Sequence, residues 1–73
     1  MRVTMAKISD KRCDVRHGGY RIDFILHIDA RIPGGSGWRF IANRKDYAAR
    51  MPAPAPVFAT AEDTLADLSA RLA

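Results

Sequence analysis

The chain predicts an α+β fold: an antiparallel β-meander of three to four strands with one C-terminal α-helix packed on the apolar face of the sheet. Three observations carry that expectation. From Tyr20 to Ile32 the residues alternate, with Tyr20, Ile22, Phe24, Leu26, Ile28, Ala30 and Ile32 apolar and Arg21, Asp23, Ile25, His27, Asp29 and Arg31 between them. Successive side chains of an extended chain point to opposite faces, so this period of two marks a half-buried strand and no helix. Gly-rich breakers, His17-Gly18-Gly19 and Pro33-Gly34-Gly35-Ser36-Gly37, separate this run from alternating runs on either side. Near the end, Leu65, Leu68 and Leu72 recur at helical spacing with Ala61 in register.

The elements follow in order. Val3 and Met5 alternate with polar neighbours and read as a first strand within 1–8, and Ser9-Asp10-Lys11-Arg12 reads as a bulge or turn. Cys13 and Val15 resume the alternation in a second strand. Gly18-Gly19 suits a tight hairpin turn because both residues accept positive φ, so the second strand should fold back antiparallel onto the long Tyr20–Ile32 strand. The Pro33–Gly37 stretch is then a hairpin loop into Trp38-Arg39-Phe40-Ile41-Ala42. After it, Asn43 could cap a short helical turn that sets Tyr47 and Met51 one turn apart, or the same residues could extend the strand. Pro52, Pro54 and Pro56 impose a stiff extended connector. Thr60 is a good N-cap, with Asp63 three residues on and Glu62 placed to complement the helix dipole. The expected organisation is one domain over 1–73: sheet over 1–43, helical turn and connector over 44–59, helix over 60–73. In this reading Leu65, Leu68 and Leu72 cover the side of the long strand that carries Tyr20, Ile22, Phe24, Leu26 and Ile28.

Composition narrows the function classes. A chain of 73 residues has one small core and buries only about 60% of its unfolded surface, which leaves little volume for an enclosed catalytic pocket. The single cysteine excludes an internal disulfide and points to a reducing compartment, so a cytoplasmic location is expected. No apolar stretch approaches the roughly 20 residues of a membrane helix, and the charged N-terminus does not resemble a signal peptide. The net charge of +4 is unevenly placed. Residues 1–59 carry eleven Lys and Arg against five Asp, whereas 60–73 carry Glu62, Asp63 and Asp67 against Arg71. Nine of the twelve basic residues are Arg, the side chain that grips phosphates and carboxylates bidentately.

Catalytic and metal chemistry find no support in the residue pattern. Cys13, His17, His27 and Asp29 are the only conceivable metal set, and their spacing does not follow zinc-site rules. A Cys13 nucleophile would need His17 or His27 within hydrogen-bond reach, an oxyanion site and a pocket. Gly34-Gly35-Ser36-Gly37 lacks the helix and the lysine of a phosphate loop. No catalytic residue, metal or cofactor is expected. The stronger constellation is aromatic and basic: Tyr20, Trp38 and Tyr47 near Arg21, Arg39, Arg44, Lys45 and Arg50. Aromatics and arginines dominate protein hot spots, and the same pair stacks bases and holds phosphates. Trp38 is expected in the core, as the single tryptophan of a small domain.

Two resemblances bear on function. Strands joined by a glycine turn, followed by Phe58-Ala59-Thr60-Ala61-Glu62-Asp63-Thr64 leading into a terminal helix, resemble the N-terminal arm-type DNA-binding domain of tyrosine recombinases over residues 20–72. That resemblance implies a three-stranded sheet backed by one helix, with the sheet entering the major groove and Arg21, Asp23, His27 and Arg31 as the reading face. The chain departs from the pattern in its Pro-rich connector before Phe58 and is expected to stand without a catalytic partner. In type, a short sheet-plus-helix chain without catalytic residues also resembles accessory proteins of phages and mobile elements, anti-CRISPR inhibitors among them. Many of those are acidic where this chain is basic.

The expected function is therefore a small non-catalytic binding protein that inhibits or regulates a protein–nucleic-acid complex, in the manner of an anti-CRISPR inhibitor of a CRISPR-Cas effector. The alternative is a stand-alone DNA-binding module using its basic sheet face. The candidate binding residues are Arg21, Asp23, His27, Arg31, Arg39, Arg44, Lys45, Tyr47 and Arg50. The expected partner is a protein or protein–nucleic-acid complex, direct DNA or RNA contact fits the charge, and no membrane is involved. An exposed strand edge also favours a homodimer.

Overall fold

The computed structural model describes residues 2–29 and 35–72. Four strands, β1 (Val3–Ser9), β2 (Arg12–His17), β3 (Tyr20–Ile28) and β4 (Gly37–Ile41), form one antiparallel sheet in the order β1-β2-β3-β4. A single helical turn, α1 (Lys45–Ala48), follows, and α2 (Ala61–Leu72) closes the chain and packs across β1, β3 and β4. The predicted meander, a helical turn after Asn43 and the terminal helix are present, although Arg44 and not Asn43 stands at the N-cap of α1, with no side-chain cap bond. Thr60 caps α2 as expected, its Oγ1 accepting from the Asp63 amide at 3.0 Å.

The hairpin between β2 and β3 turns through Gly18 and Gly19, at φ of 61° and 89°, with His17 opposite Tyr20. Positive φ at both central positions matches the twist of the flanking strands, which is why glycines stand there. Had the ladder run on regularly, Val15 would face Ile22 and Cys13 would face Phe24. Instead the register shifts after Arg16↔Arg21, so that Val15 faces Asp23 and Cys13 faces Ile25. Ile22 is the extra residue, a β-bulge. A slip of one residue exchanges the two faces of a strand.

This slip overturns the expected orientation of the long strand. The side toward α2 carries Asp23, Ile25 and His27, in rows with Val15, Cys13, Phe40 and Trp38. Ile25, which the alternation sets with Arg21, Asp23 and His27 on the side away from the helix, is 0% exposed and belongs to the core. Phe24, Leu26 and Ile28, read as the side beneath the helix, occupy the opposite face and stay half-buried. Ile22 alone of that set is buried, carried inward by the bulge. Tyr20, expected on the apolar face, is 76% exposed.

The core is Cys13, Val15, Ile22, Ile25, Phe40, Ala61, Leu68 and Leu72, with Val3, Met5, Trp38, Ala42, Tyr47, Met51 and Leu65 packed around it. Trp38 thus belongs with the core, as its place in the sequence suggests. On α2 the buried stripe runs Ala61, Thr64, Leu68 and Leu72, with Leu65 at its margin. Thr64 is accommodated because its hydroxyl donates to the Thr60 carbonyl at 2.9 Å. The Pro-rich connector returns the chain to the edge of β4, where Phe58 and Trp38 exchange two backbone hydrogen bonds of 2.8 Å. Gly37 permits that approach: at φ 154° it has no Cβ, and one would press on Val57 and the Phe58 carbonyl.

Candidate binding face

Among the described residues no element covers the other face of the sheet. Its side chains fall into three rows across the strands. Thr4, Arg16 and Arg21 form the first, Ala6, Asp14, Phe24 and Ile41 the second, and Ser9, Arg12, Leu26 and Arg39 the third. Ile28 continues the apolar line at the end of β3. None of Phe24, Leu26, Ile28 and Ile41 packs against the core cluster. Four half-buried apolar side chains therefore form a stripe along β3 and β4, flanked by four arginines and one aspartate. A contiguous apolar stripe rimmed by charge on an otherwise closed domain marks an interaction surface.

The rim is preorganised. The Arg12 guanidinium lies 4.3 Å from the Phe24 ring centroid, a cation–π contact that holds both groups. Asp14 is shared, with Arg12 Nε 3.5 Å from one carboxylate oxygen and Arg21 Nε 3.4 Å from the other. Tethering long side chains before binding lowers the entropy lost when a partner engages them. Asp14 is thus divided between two of the four arginines on this face, Arg12 and Arg21.

The nine residues singled out from the sequence are dispersed. Arg21 and Arg39 lie on the open face. Asp23 is buried on the other side, where Oδ2 accepts the Asn43 and Arg44 amides at 2.8 and 3.2 Å. It anchors the exit of β4 and is a structural group. His27 is half-buried and meets the Trp38 ring edge-on, centroids 5.3 Å apart, on the helix side; it was expected on the exposed face beside Asp29, whose carboxylate is 3.9 Å away. Arg31 lies outside the described residues. The reading face implied by the recombinase resemblance is therefore divided, with Arg21 on one side of the sheet and Asp23 and His27 on the other.

Arg44, Lys45, Tyr47 and Arg50 gather around α1 at the hairpin end. Tyr47 is half-buried against the core, and its hydroxyl is 3.0 Å from His17 Nδ1. Arg44 Nη1 donates to the Arg21 carbonyl at 3.3 Å. Of the residues that sequence reasoning missed, Phe24 and Leu26 owe their position to the bulge, whereas Arg12 and Arg16 alternate with Cys13 and Val15 along β2 and Ile41 follows Phe40 on β4. One cue existed: Ile22 and Ile25 are three apart, a break in period that a bulge accommodates.

Cys13 sits at the floor of a cleft of about 470 Å³ between β1 and the start of α2, lined also by Lys7, Trp38 and Glu62. Burial pushes its thiol pKa up, the Glu62 carboxylate adds to this, and Lys7 only partly offsets it. A nucleophilic cysteine needs the opposite shift. Among the described residues no three His, Cys, Asp or Glu side chains come close enough to hold a metal ion, and no helix is long and apolar enough to cross a membrane. Compared with known proteins, the chain matches no family model, no curated protein and no solved structure.

Proposed function

We propose that this is a small non-catalytic binding protein that docks its open sheet face on a protein component of a protein–nucleic-acid complex and so inhibits or regulates it. An anti-CRISPR-like inhibitor of a CRISPR-Cas effector is the form of this reading that the sequence type suggests. The observation that carries it is the apolar stripe Phe24, Leu26, Ile28 and Ile41 set among Arg12, Arg16, Arg21 and Arg39. Protein hot spots combine aromatic and aliphatic anchors with arginine in this way. The partner surface that fits is apolar at its centre and acidic at its rim. Two copies pressed face to face would oppose their arginines, which disfavours a homodimer through this face. Entry of the face into a DNA major groove is also disfavoured, because the stripe would lie against polar base edges.

The test is an effector panel. Purified CRISPR-Cas effectors are assayed for target cleavage with and without the protein, and with Leu26→Asp and Arg39→Glu variants whose folding is checked by circular dichroism. Inhibition of one effector by the wild type, lost in both variants, is the expected outcome. Absence of inhibition across the panel removes the anti-CRISPR form, and inhibition that survives both substitutions removes the open face as the docking surface. A mobility shift on random duplex DNA addresses the stand-alone DNA module: tight binding at low salt that both variants weaken would favour that module instead.

A further inference from the structure

The hairpin end of the sheet carries a second surface that the open face does not explain. Between the Gly18-Gly19 turn and α1 lies a groove of about 380 Å³ lined by His17, Tyr20, Ile22, Arg44, Asp46 and Tyr47. Tyr20 is 76% exposed, one of two large hydrophobic side chains left so open among the described residues. It has no part in the core. Yet its stem is fixed, because it begins β3 directly after the tight turn and pairs with His17.

The rest of the groove is equally ordered. Ile22 is buried at 4% exposure and closes the groove from below. The Tyr47 ring meets His17 edge-on at 6.0 Å between centroids, and its hydroxyl is engaged by His17 Nδ1 at 3.0 Å. Arg44 is the basic residue in the lining, and Arg16 and Lys45 lie on the adjoining elements. Arg44 is tethered to the Arg21 carbonyl, Arg16 Nη1 donates to the Gly19 carbonyl at 3.0 Å, and Lys45 is exposed on α1. Asp46 is the one acidic residue in the lining.

We infer that this groove is a base-stacking site for single-stranded nucleic acid, with Tyr20 taking the face of an unpaired base and Arg44 holding the adjoining phosphate. Rigid aromatic rings beside fixed guanidinium groups are the two parts of a single-strand site. A duplex presents base edges in its grooves and hides the π-faces that Tyr20 would stack on. A protein partner would find little to bury here, since Ile22 is already covered and Tyr20 stands alone. The inference is independent of the open-face reading, because Tyr20 and Arg44 belong neither to the apolar stripe nor to the arginines around it.

Fluorescence anisotropy of the full chain with a labelled oligothymidylate of about 12 nucleotides, at low salt, tests it. The single strand should bind more tightly than a duplex of the same length. Tyr20→Ala should weaken binding roughly tenfold or more, and Tyr20→Phe should retain it, because stacking needs the ring and not the hydroxyl. Arg44→Gln should lower the slope of log affinity against log salt by about 0.7, the loss of one single-strand phosphate contact. Leu26→Asp on the open face should leave oligonucleotide binding unchanged, which separates this site from the docking face. Absence of binding at low salt, wild-type affinity in a folded Tyr20→Ala protein, or a preference for duplex overturns the inference.

Discussion

The two faces of the sheet differ in how far their apolar side chains are hidden, and the difference lies in a single inserted residue. On the helix side, Val15 and Ile25 are 0% exposed and Leu68 is 1% exposed. On the other, Phe24, Leu26, Ile28 and Ile41 are only half-buried and meet arginines in place of a second layer. The helix side is also the more apolar, since the open face sets its four large apolar side chains among four arginines and an aspartate. A domain of this size has one helix to spend on covering, and the bulge at Ile22 decides which face receives it. An uncovered apolar face weakens a small domain, and this is the face proposed above to dock a partner.

The contrast predicts its largest effects from charge inserted on each side. Leu68→Asp or Ile25→Asp places a carboxylate in the closed core, which a domain with about 5 kcal/mol of stability cannot absorb. Both should be unfolded by circular dichroism at 25 °C. Leu26→Asp on the open face should stay folded, within about 1 kcal/mol of wild type by urea titration, as expected for a partly exposed site. Equal collapse of all three proteins would mean that the open face is core after all.

A smaller effect tests the anchor that ties the faces together. Asp23 accepts two backbone amides at the exit of β4. Asp23→Ala leaves both without their partner and should cost about 1–3 kcal/mol. Asp23→Asn keeps one carbonyl acceptor and should recover part of that loss in the same titration. If alanine and asparagine variants melt together with wild type, the hydrogen bonds contribute nothing and the position of α1 rests on packing alone.

These predictions differ in how much of their basis was legible in the sequence. The strand count, the glycine hairpin and the helix were legible because each follows from local chemistry: alternation, positive φ at Gly18 and Gly19, leucines at helical spacing. The Thr60 cap was equally local. The facing of β3 was not. The two-residue turn at Gly18-Gly19 implies Val15 opposite Ile22, and the three-residue spacing of Ile22 and Ile25 is the one local cue to a bulge. What favours the shifted register is distant in sequence: Cys13, Val15, Trp38 and Phe40 must share a face with Ile25, and Asp23 must reach the amides of Asn43 and Arg44. Hence Arg21 and Arg39 were found as surface residues, whereas Asp23 and His27 were assigned to the wrong side and Phe24 and Leu26 to the core. Tyr47 was found beside basic residues, but its bond to His17 spans 30 residues and had no sequence signature.

Thr60→Ala probes the covered face at its edge. Loss of the cap to the Asp63 amide should cost about 1 kcal/mol, read as a lower urea midpoint with an unchanged slope. Thr60→Ser or Thr60→Asn should restore it, because either side chain supplies the accepting oxygen.

The least perturbing probe of the same face is the thiol of Cys13. It is 5% exposed, and burial, with help from Glu62, raises its pKa above the ordinary 9.0. In the unfolded chain the thiol ionises near its ordinary value. In the folded protein it stays protonated to higher pH, so between the two values the folded state holds the additional proton. Stability contributed by this site is therefore complete below the ordinary thiol pKa and is lost as pH rises through the raised folded value. Urea titrations on either side of pH 9 should show a steeper alkaline loss for wild type than for Cys13→Ala, since the remaining titratable groups are common to both proteins. Iodoacetamide should label Cys13 in the folded protein no faster than free cysteine, and faster once urea opens the helix-covered side. Rapid labelling of the native protein, or identical alkaline profiles for the two proteins, would mean that α2 does not close over Cys13, and the asymmetry between the faces would then have to be redrawn.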